Sequence, residues 1–237
     1  MPCSFSAFWR SSSGGTGNVA IVIEDLLPAE VVSADVLGDD PDARLLPEEE
    51  PAVEKAVEKR VREYTIARSC ARRALGKLGL PEVPILRGPK RQPLWPDAIV
   101  GSITHTRGYY AAAVARADEV LTVGIDAEQH DVLPDGVLGV VTSPEEREML
   151  AGLGTENGVH WDRVLFSAKE SVYKAWFPLT EKWLGFGDAR LTFHPDENRF
   201  SVELLVEPPI VRGEPLTGFE GQFLIRDGFV VTAIVVS

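Results

Sequence analysis

Two carboxylates, Asp126 and Glu128, end an apolar segment that begins at Leu121 and has the sequence LTVGIDAE. The β-branched residues of this segment favour a strand, on which side chains two positions apart point the same way. Both carboxylates would then face one spot, an arrangement that suits a hard divalent cation. A strand end that only presents charge to water gives the same pattern, so the segment alone leaves both interpretations open.

A second candidate pair, Glu170 and Lys174, lies within the sequence FSAKESVYKAW. The spacing of the apolar residues predicts a helix from about Trp161 to Phe177 that stops at or before Pro178. On that helix Glu170 and Lys174 share one face and could serve a common site. They could also form only a surface salt bridge, which contributes about 0.2–0.5 kcal/mol.

Positive charge is concentrated between Glu54 and Arg91, where eleven Lys and Arg residues stand against four Asp and Glu. The whole chain has a net charge of −12, so the rest of the sequence is strongly acidic. The local excess suits a pocket for a small, highly phosphorylated ligand. A solvated helix face would show the same excess.

The cations of this region fall on a predicted helix and on a loop. Arg68 lies on the apolar stripe of the helix, where an unpaired charge would cost several kcal/mol, and Arg60 lies two turns earlier. A carboxylate elsewhere in the fold could equally be the partner of either arginine. The loop from Ile85 to Pro96 contains Gly88 and three prolines, is predicted to be irregular, and carries further cations: Arg87, Lys90 and Arg91.

The composition describes an ordinary globular chain of 237 residues, with 44% hydrophobic and 25% charged residues. The net negative charge argues against general nucleic-acid binding, and no run approaches the roughly 18 apolar residues that a membrane span needs. Residues 1–17 lack the features of a secretory signal and are expected to be flexible. Cys3 and Cys70 indicate free thiols in a reducing cytoplasm.

The first part of the chain is predicted to contain two strands, Asn18 to Glu24 and Val31 to Val36, and then an acidic linker. Pro51 and Gly79 suit the two ends of a long helix from about Pro51 to Leu78. Its predicted buried stripe consists of Val53, Val57, Val61, Tyr64, Ala71, Leu75 and Leu78.

Hairpins are predicted in both parts of the chain. Strands from Ile99 to Thr104 and from Tyr109 to Ala115 would be joined by a turn that begins at His105. Ser143 and Glu146 predict a capped helix that ends at Gly154. The C-terminal region alternates as four strands: Ala189 to His194, Phe200 to Val206, Phe219 to Ile225 and Phe229 to Val236.

Two segments half a chain apart resemble each other. GSITHTRGYYAAAVA and GQFLIRDGFVVTAIVV match with a single offset of 120 residues, at Gly101 and Gly221, Gly108 and Gly228, Tyr109 and Phe229, and Ala113 and Ala233. This predicts an α+β fold of two similar halves, residues 18–117 and 118–237, related by a pseudo-twofold axis with a ligand cleft between them. Unrelated hairpins could also coincide in this way.

Three motifs in this order, SITHTRGYY, VGIDAE and FSAKESVYKAW, resemble the motif set of the Sfp-type 4′-phosphopantetheinyl transferases. The loop RGPKRQPLWP also resembles that of the family, and the resemblance extends from about Val19 to the C-terminus. Within the family, the chain is most similar to actinobacterial enzymes that activate fatty-acid, polyketide and nonribosomal-peptide synthases. The resemblance implies a monomeric, cytoplasmic pseudo-dimer of two α+β halves that binds coenzyme A between them.

The resemblance also implies the residues of the site. Asp126, Glu128 and Glu170 would bind magnesium, with manganese as the alternative metal, and Ala127 would offer only its main-chain carbonyl. Lys174 would lie near the pyrophosphate of coenzyme A, and Thr104 with His105 near its 3′-phosphate. The remaining contacts to the nucleotide would come from Arg60, Arg68, Arg87, Gly88, Pro89 and Lys90. Many relatives have serine at the position of Thr104 and lysine at that of Arg87, which is not an equivalent cation.

The implied activity is transfer of the 4′-phosphopantetheine arm from coenzyme A to a serine of acyl or peptidyl carrier proteins, with release of adenosine 3′,5′-bisphosphate. Asp126, Glu170 and Lys174 would be the catalytic residues. Glu170 is the candidate base for the serine proton, and Lys174 would neutralise charge on the pyrophosphate bridge. A catalytically silent module that binds coenzyme A or carrier proteins is the alternative. A metal-dependent nucleotide hydrolase is disfavoured, because the sequence has no P-loop or HExxH pattern.

Overall fold

The computed structural model describes residues 23–154 and 158–237, which form four α-helices and twelve strands. The helices are α1 (Glu58–Lys77), α2 (Val137–Val141), α3 (Pro144–Leu153) and α4 (Trp161–Thr180). The strands are β1 (Val32–Leu37), β2 (Leu86–Arg87), β3 (Pro93–Leu94), β4 (Ile99–Thr106), β5 (Tyr109–Arg116), β6 (Thr122–Gln129), β7 (Ala189–His194), β8 (Arg199–Leu204), β9 (Ile210–Val211), β10 (Glu214–Pro215), β11 (Gly218–Arg226) and β12 (Phe229–Val236).

Each half of the chain builds one antiparallel sheet and covers it with one long helix. The first sheet has the order β1-β5-β4 and carries α1, whereas the second has the order β6-β12-β11-β8-β7 and carries α4. Three buried clusters separate these layers: one between α1 and the first sheet, one between the two sheets, and one between the second sheet and α4. The result is the predicted α+β architecture.

The internal repeat predicted from the sequence is present in the strand register. Gly101 pairs with Val114 in the first hairpin, and Gly221 pairs with Ile234 in the second. The same offset of 120 residues holds from there to the turn, where Thr106 faces Tyr109 and Arg226 faces Phe229. A further strand joins the second hairpin strand in each half, β1 in the first and β6 in the second.

The long helix of the first half begins later than predicted. Residues Glu50–Ala52 form a separate 3-10 turn, and Val57 has an extended backbone that precedes the first residue of α1. Val53 is buried but Val57 is 74% exposed, so the predicted stripe breaks between them. The spacing of valines continued through a bend that periodicity alone does not detect.

Helix α4 continues past Pro178, where the sequence predicted an end. A proline in the last turn removes only one intrahelical hydrogen bond. The turn is closed instead by the Thr180 hydroxyl, which donates to the carbonyl of Trp176 at 3.1 Å, and by the amide of Glu181, which donates to the carbonyl of Phe177 at 2.8 Å. Pro178 therefore lies inside the helix.

Other differences are local. The loop from Ile85 to Pro96 contains the two-residue strands β2 and β3, and the short helix α2 and the hairpin β9-β10 were not predicted. His105 belongs to β4, where it pairs with Tyr110 ahead of the turn. Of the strand predicted at 18–24, residues 23 and 24 lie in a 3-10 turn; residues 18–22 and the N-terminal segment 1–17, with Cys3, lie outside the described residues. Cys70 is a buried free thiol.

The capped helix was predicted correctly. Ser143 and Glu146 form the expected capping box at the start of α3, which ends before Gly154. Strands β7 and β12 have the predicted bounds, and β8 and β11 differ by one or two residues at their ends. Within the described residues, no helix combines the length and apolar character needed to cross a membrane.

Candidate active site

Gly124 allows α4 to lie directly against β6. A Cβ atom at this position would overlap the carbonyl of Ser171 and lie 2.7 Å from the amide nitrogen of Ala175. The Thr122 hydroxyl fixes the same approach, since it donates to the carbonyl of Ala175 at 2.9 Å. The glycine thereby brings the turn of α4 that carries Glu170 and Lys174 close to the end of β6.

Lys174 pairs with Asp126 across this contact. Its Nζ donates to Asp126 Oδ1 at 2.8 Å and to the carbonyl of Ile125 at 3.0 Å. The alternative in which Lys174 pairs with Glu170 on the helix surface does not occur. The second carboxylate oxygen, Asp126 Oδ2, is buried and has no hydrogen-bond partner among the described residues.

Two hydroxyls of β4 join the first half to β6. Ser102 Oγ accepts a hydrogen bond from the amide of Ile125 at 3.1 Å, and Thr104 Oγ1 accepts one from the amide of Ala127 at 3.0 Å. The Thr104 hydroxyl also donates to Asp126 Oδ1 at 3.2 Å. Strands β4 and β6 belong to different sheets, and these side-chain hydrogen bonds connect them. They hold the Asp126 carboxylate at the boundary between the halves.

Glu128 is the second carboxylate on this face, and it is held by an arginine that the sequence did not single out. Arg163 on α4 donates to Glu128 Oε2 at 3.2 Å, while its other nitrogens donate to the carbonyls of Asp131 and Val132 at 2.9 Å. Burial, followed by the charge of Asp126, raises the pKa of Glu128 to about 7. Nothing in the spacing of Arg163 distinguishes it from the other helix-surface arginines.

Glu170 is a half-buried carboxylate with no hydrogen bond or ion pair to any side chain in the described part of the chain. Burial and the nearby Asp126 charge raise its pKa above the ordinary value. The carboxylates of Asp126, Glu128 and Glu170, together with an Asp126 oxygen that has no partner among the described residues, form a donor set that fits a hard cation. As they stand, no three His, Cys, Asp or Glu side chains of residues 23–154 and 158–237 converge into a group that could hold a metal ion.

A cavity of about 410 Å³ opens beside this group, between the loop at residues 90–95, β4 and α4. Three of the predicted site residues line it: Lys90, Glu170 and Lys174. Its walls also include the aromatic side chains of Trp95, Tyr173 and Phe177. The cavity is therefore lined by positively and negatively charged side chains and by aromatic side chains, as a ligand with phosphate and non-polar parts requires.

Arg60 and His105 contact each other at the end of β4. An Arg60 guanidinium nitrogen lies 2.9 Å from His105 Nε2. Since an arginine can only donate, His105 accepts through Nε2 and is neutral in this contact. Burial, followed by the positive charge of Arg60, lowers the pKa of His105 accordingly.

Arg68 is buried, with 5% of its surface exposed. Its Nε donates to the carbonyl of Ile85 at 2.8 Å, and its guanidinium stacks 4.3 Å from the centre of the Tyr64 ring. Among the residues the structure describes, no carboxylate lies within 4.0 Å of it, so the alternative of a simple internal ion pair is not supported. The charge of Glu49 acts on Arg68 only from a distance, and a buried cation without a contacting counter-charge is an expensive arrangement that an anionic ligand would relieve.

The remaining predicted contacts lie at the end of β2 and on the turn between β2 and β3. The amide of Gly88 donates to the carbonyl of Gln92 at 2.8 Å, and the amide of Lys90 donates to Gln92 Oε1 at 2.9 Å. Arg87, Pro89 and Lys90 are exposed. Of these, Lys90 reaches the cavity wall, whereas Arg87 and Pro89 do not belong to its lining.

Comparison with known proteins agrees with this arrangement. Residues 48–115 match the 4′-phosphopantetheinyl transferase N-terminal domain, and residues 122–213 match the 4′-phosphopantetheinyl transferase superfamily. The chain is 51% identical to the 4′-phosphopantetheinyl transferase Svp of Streptomyces mobaraensis over 91% of this chain and 89% of that protein. It is 48% identical to PptT of Mycobacterium tuberculosis, over 91% and 94% of the two chains. Enterobactin synthase component D of Salmonella typhi is 36% identical over 56% of this chain and 55% of that protein.

The two family matches fall in different parts of the chain. The first covers α1, β4 and most of β5 but not β1, and the second covers β6, α4, β7 and β8 but not β11 or β12. Enzymes of this kind use coenzyme A as the donor of the phosphopantetheine group, typically with Mg²⁺. The chain therefore belongs to the 4′-phosphopantetheinyl transferase superfamily and is an Sfp-type enzyme that activates carrier proteins.

Proposed function

We propose that Asp126, Glu128 and Glu170 hold Mg²⁺ at the boundary between the halves, and that Asp126, Glu170 and Lys174 carry the transfer of phosphopantetheine from coenzyme A. The observation that carries this proposal is Asp126 Oδ2, which lies near Lys174 and Glu170 and is buried without a hydrogen-bond partner among residues 23–154 and 158–237. An orphaned buried carboxylate oxygen is costly unless a cation or a donor satisfies it. Ala127 would offer only its main-chain carbonyl, and Mn²⁺ is an alternative metal.

Coenzyme A would occupy the cavity next to this group. Lys90 and Lys174 on the cavity wall supply positive charge for its phosphates. We assign Arg60, Arg68, Thr104 and His105 to the nucleotide end, because Arg60 contacts His105 and because Arg68 has no carboxylate partner in the described residues. Arg87, Gly88 and Pro89 complete the proposed contacts through the turn that carries Lys90.

The reaction requires a carrier-protein serine to lose its proton and attack the β-phosphorus of coenzyme A. Glu170 lines the cavity and is the candidate base for that proton, whether or not it also binds the metal. The bond from phosphorus to the bridging oxygen then breaks, and adenosine 3′,5′-bisphosphate leaves with the bonding electrons. Lys174 stabilises the charge that develops on the pyrophosphate. Mg²⁺, when bound, would polarise the phosphate and hold it in place.

We propose that the carrier proteins are acyl and peptidyl carrier domains of fatty-acid, polyketide and nonribosomal-peptide synthases, and that the enzyme acts as a cytoplasmic monomer. The two similar halves of one chain form both walls of the cavity, which supports a site that needs no second subunit. The alternative of a catalytically silent binding module is disfavoured, because Asp126, Glu128, Glu170 and Lys174 are all present.

Intact-mass measurement of an apo acyl carrier protein tests the proposal. Incubation with the enzyme, coenzyme A and Mg²⁺ should add one phosphopantetheine arm to the carrier, and removal of divalent metal should stop the addition. The Asp126→Ala variant should fold and fail to transfer the arm. Unchanged turnover in that variant would remove the metal role assigned here.

A further inference from the structure

Glu49 is a charged side chain in the core of the first half, with 1% of its surface exposed. Its carboxylate accepts three hydrogen bonds: Oε2 from the amide of Leu46 at 2.9 Å and from Arg72 at 2.5 Å, and Oε1 from the amide of Ile85 at 2.8 Å. The Arg72 side chain is itself buried. A buried ion pair seldom adds stability over apolar residues of similar size, so stability alone does not explain why Glu49 and Arg72 lie in this core.

The third bond connects Glu49 to the proposed nucleotide site. Ile85 precedes the turn that carries Arg87, Gly88 and Lys90. While its amide donates to Glu49, its carbonyl accepts from Arg68 Nε at 2.8 Å. The main chain at Ile85 thus connects the buried Glu49 carboxylate both to Arg68 and to the proposed coenzyme A contacts from Arg87 to Lys90.

The charges of Glu49, Arg72 and Arg68 are consistent with this connection. Arg68 has no carboxylate within 4.0 Å in residues 23–154 and 158–237, and the charge of Glu49 is already matched by Arg72. Glu49 therefore holds the main chain that orients Arg68 and favours its charged form from a distance, without forming an ion pair with it. The cation stays available for an anionic ligand, which a direct ion pair would prevent.

We propose that Glu49 is a positioning residue for coenzyme A, which fixes Ile85 and thereby aligns Arg68 and the Arg87–Lys90 turn with the phosphates of the nucleotide. This rests on the proposed function of those cations. Glu49 does not touch the ligand, so its loss weakens binding of coenzyme A and leaves the chemical step unchanged.

A matched pair of double variants tests this positioning role. Glu49→Gln/Arg72→Met keeps an oxygen for the Ile85 amide, whereas Glu49→Leu/Arg72→Met keeps none, and both remove the buried charges. By calorimetric titration with coenzyme A, the leucine variant should bind about ten-fold more weakly than the glutamine variant, because binding must then order a segment that the lost hydrogen bond, of about 1 kcal/mol, no longer holds in the free protein. KM for coenzyme A should rise by the same factor, with kcat within about two-fold. Equal affinity in the two variants would overturn the proposal.

Two further measurements separate the possible failures. If Arg68→Gln binds coenzyme A as tightly as the wild type, the proposed nucleotide site is wrong, and the role of Glu49 fails with it. If Arg68→Gln binds more weakly but the two double variants bind equally well, only the role of Glu49 is overturned. If the double variants do not fold, amide hydrogen exchange in the wild type decides. Exchange at Ile85 as slow as in the centre of β5 supports the anchor, and rapid exchange contradicts it.

Discussion

Lys174 Nζ lies 2.8 Å from Asp126 Oδ1, whereas Asp126 Oδ2 is buried with no partner in the described structure. One oxygen of the carboxylate is thus occupied by a cation of the protein, and the other is left for a second cation. The contact exists because Gly124 lets α4 approach β6 and because Thr104 reaches across from the other half. The proposed metal site is a product of both halves.

Removal of the Lys174 charge should slow the chemical step. Lys174→Met is expected to lower kcat by about 100-fold, because preorganised charge next to a developing oxyanion contributes that much in comparable sites. Lys182→Met, at an exposed position just after α4, is the matched control and should transfer at the wild-type rate. Equal kcat in the two variants would show that Lys174 only holds Asp126.

The hydroxyl of Thr104 should contribute more to the free energy of unfolding than its methyl group does. Thr104→Val leaves the buried amide of Ala127 without an acceptor and takes one donor from Asp126, so we expect a loss of about 1–3 kcal/mol in the free energy of unfolding. Thr104→Ser keeps both bonds and should lose less than half as much. Urea denaturation of the three proteins measures this, and equal losses in both variants would contradict the hydrogen-bonding role.

Gly124→Ala should disturb the site through packing alone. Its added methyl group would overlap the Ser171 carbonyl, and α4 must shift to make room. Overpacking of this kind costs about 1–3 kcal/mol, and a displacement of about 1 Å in a catalytic group can cost about 100-fold in rate.

The matched control for this packing test is Gly139→Ala. Gly139 lies in α2, where an added Cβ meets no atom within 4 Å. This variant should keep both its stability, measured by thermal unfolding, and its rate of transfer. Wild-type behaviour of Gly124→Ala would show that α4 is not tightly seated on β6.

His105 should make stability depend on pH. Burial and Arg60 lower its pKa in the folded protein, so the unfolded chain binds more protons near pH 6. Its contribution is fully present above the unfolded pKa of about 6.5 and is lost as pH falls toward the folded value. The nearby charges of Glu63, Lys174 and Asp126 are common to the wild type and the variant.

Unfolding free energies at pH 7.5 and pH 5.5 measure this effect. The decrease on acidification should be larger in the wild type than in His105→Gln, which cannot titrate at this position. His130 also has a lowered pKa, but its contribution is shared by both proteins and cancels in the comparison. An identical decrease in both proteins would indicate that His105 accepts a proton freely in the folded state.

Much of the fold could be predicted because the hairpin pattern occurs twice in the sequence and because local capping residues mark a helix start. The offset of 120 residues between the two hairpins is reproduced in the strand register, and the capping box of Ser143 and Glu146 forms as its spacing indicates. Helix boundaries were less predictable. Valine spacing extended α1 backward through a bend at Val57, and Pro178 is accommodated by hydrogen bonds that depend on Thr180 and on the αL conformation of Glu181.

The candidate site was predictable where residues form compact motifs and not where partners come from distant segments. Asp126 and Lys174 form an ion pair and Glu170 lines the same cavity as Lys174, while the catalytic and metal-binding roles of these residues stay predictions. Glu49 lies in the run Glu48, Glu49 and Glu50, and nothing in that acidic run marks the middle residue as the buried one. Its role, like that of Arg163 on Glu128, depends on tertiary contacts across more than thirty residues. The division of the chain at residues 117 and 118 stays a prediction.

The metal site itself is tested most directly by binding of Mn²⁺, followed by electron paramagnetic resonance in the presence of coenzyme A. The wild type should bind one ion, and Asp126→Asn, which keeps the shape of the side chain, should lose about 100-fold or more in affinity. Glu220→Gln, at an exposed carboxylate on β11, should bind as the wild type does. If Asp126→Asn binds Mn²⁺ with wild-type affinity, Asp126 is not a metal ligand and the account of the site is wrong.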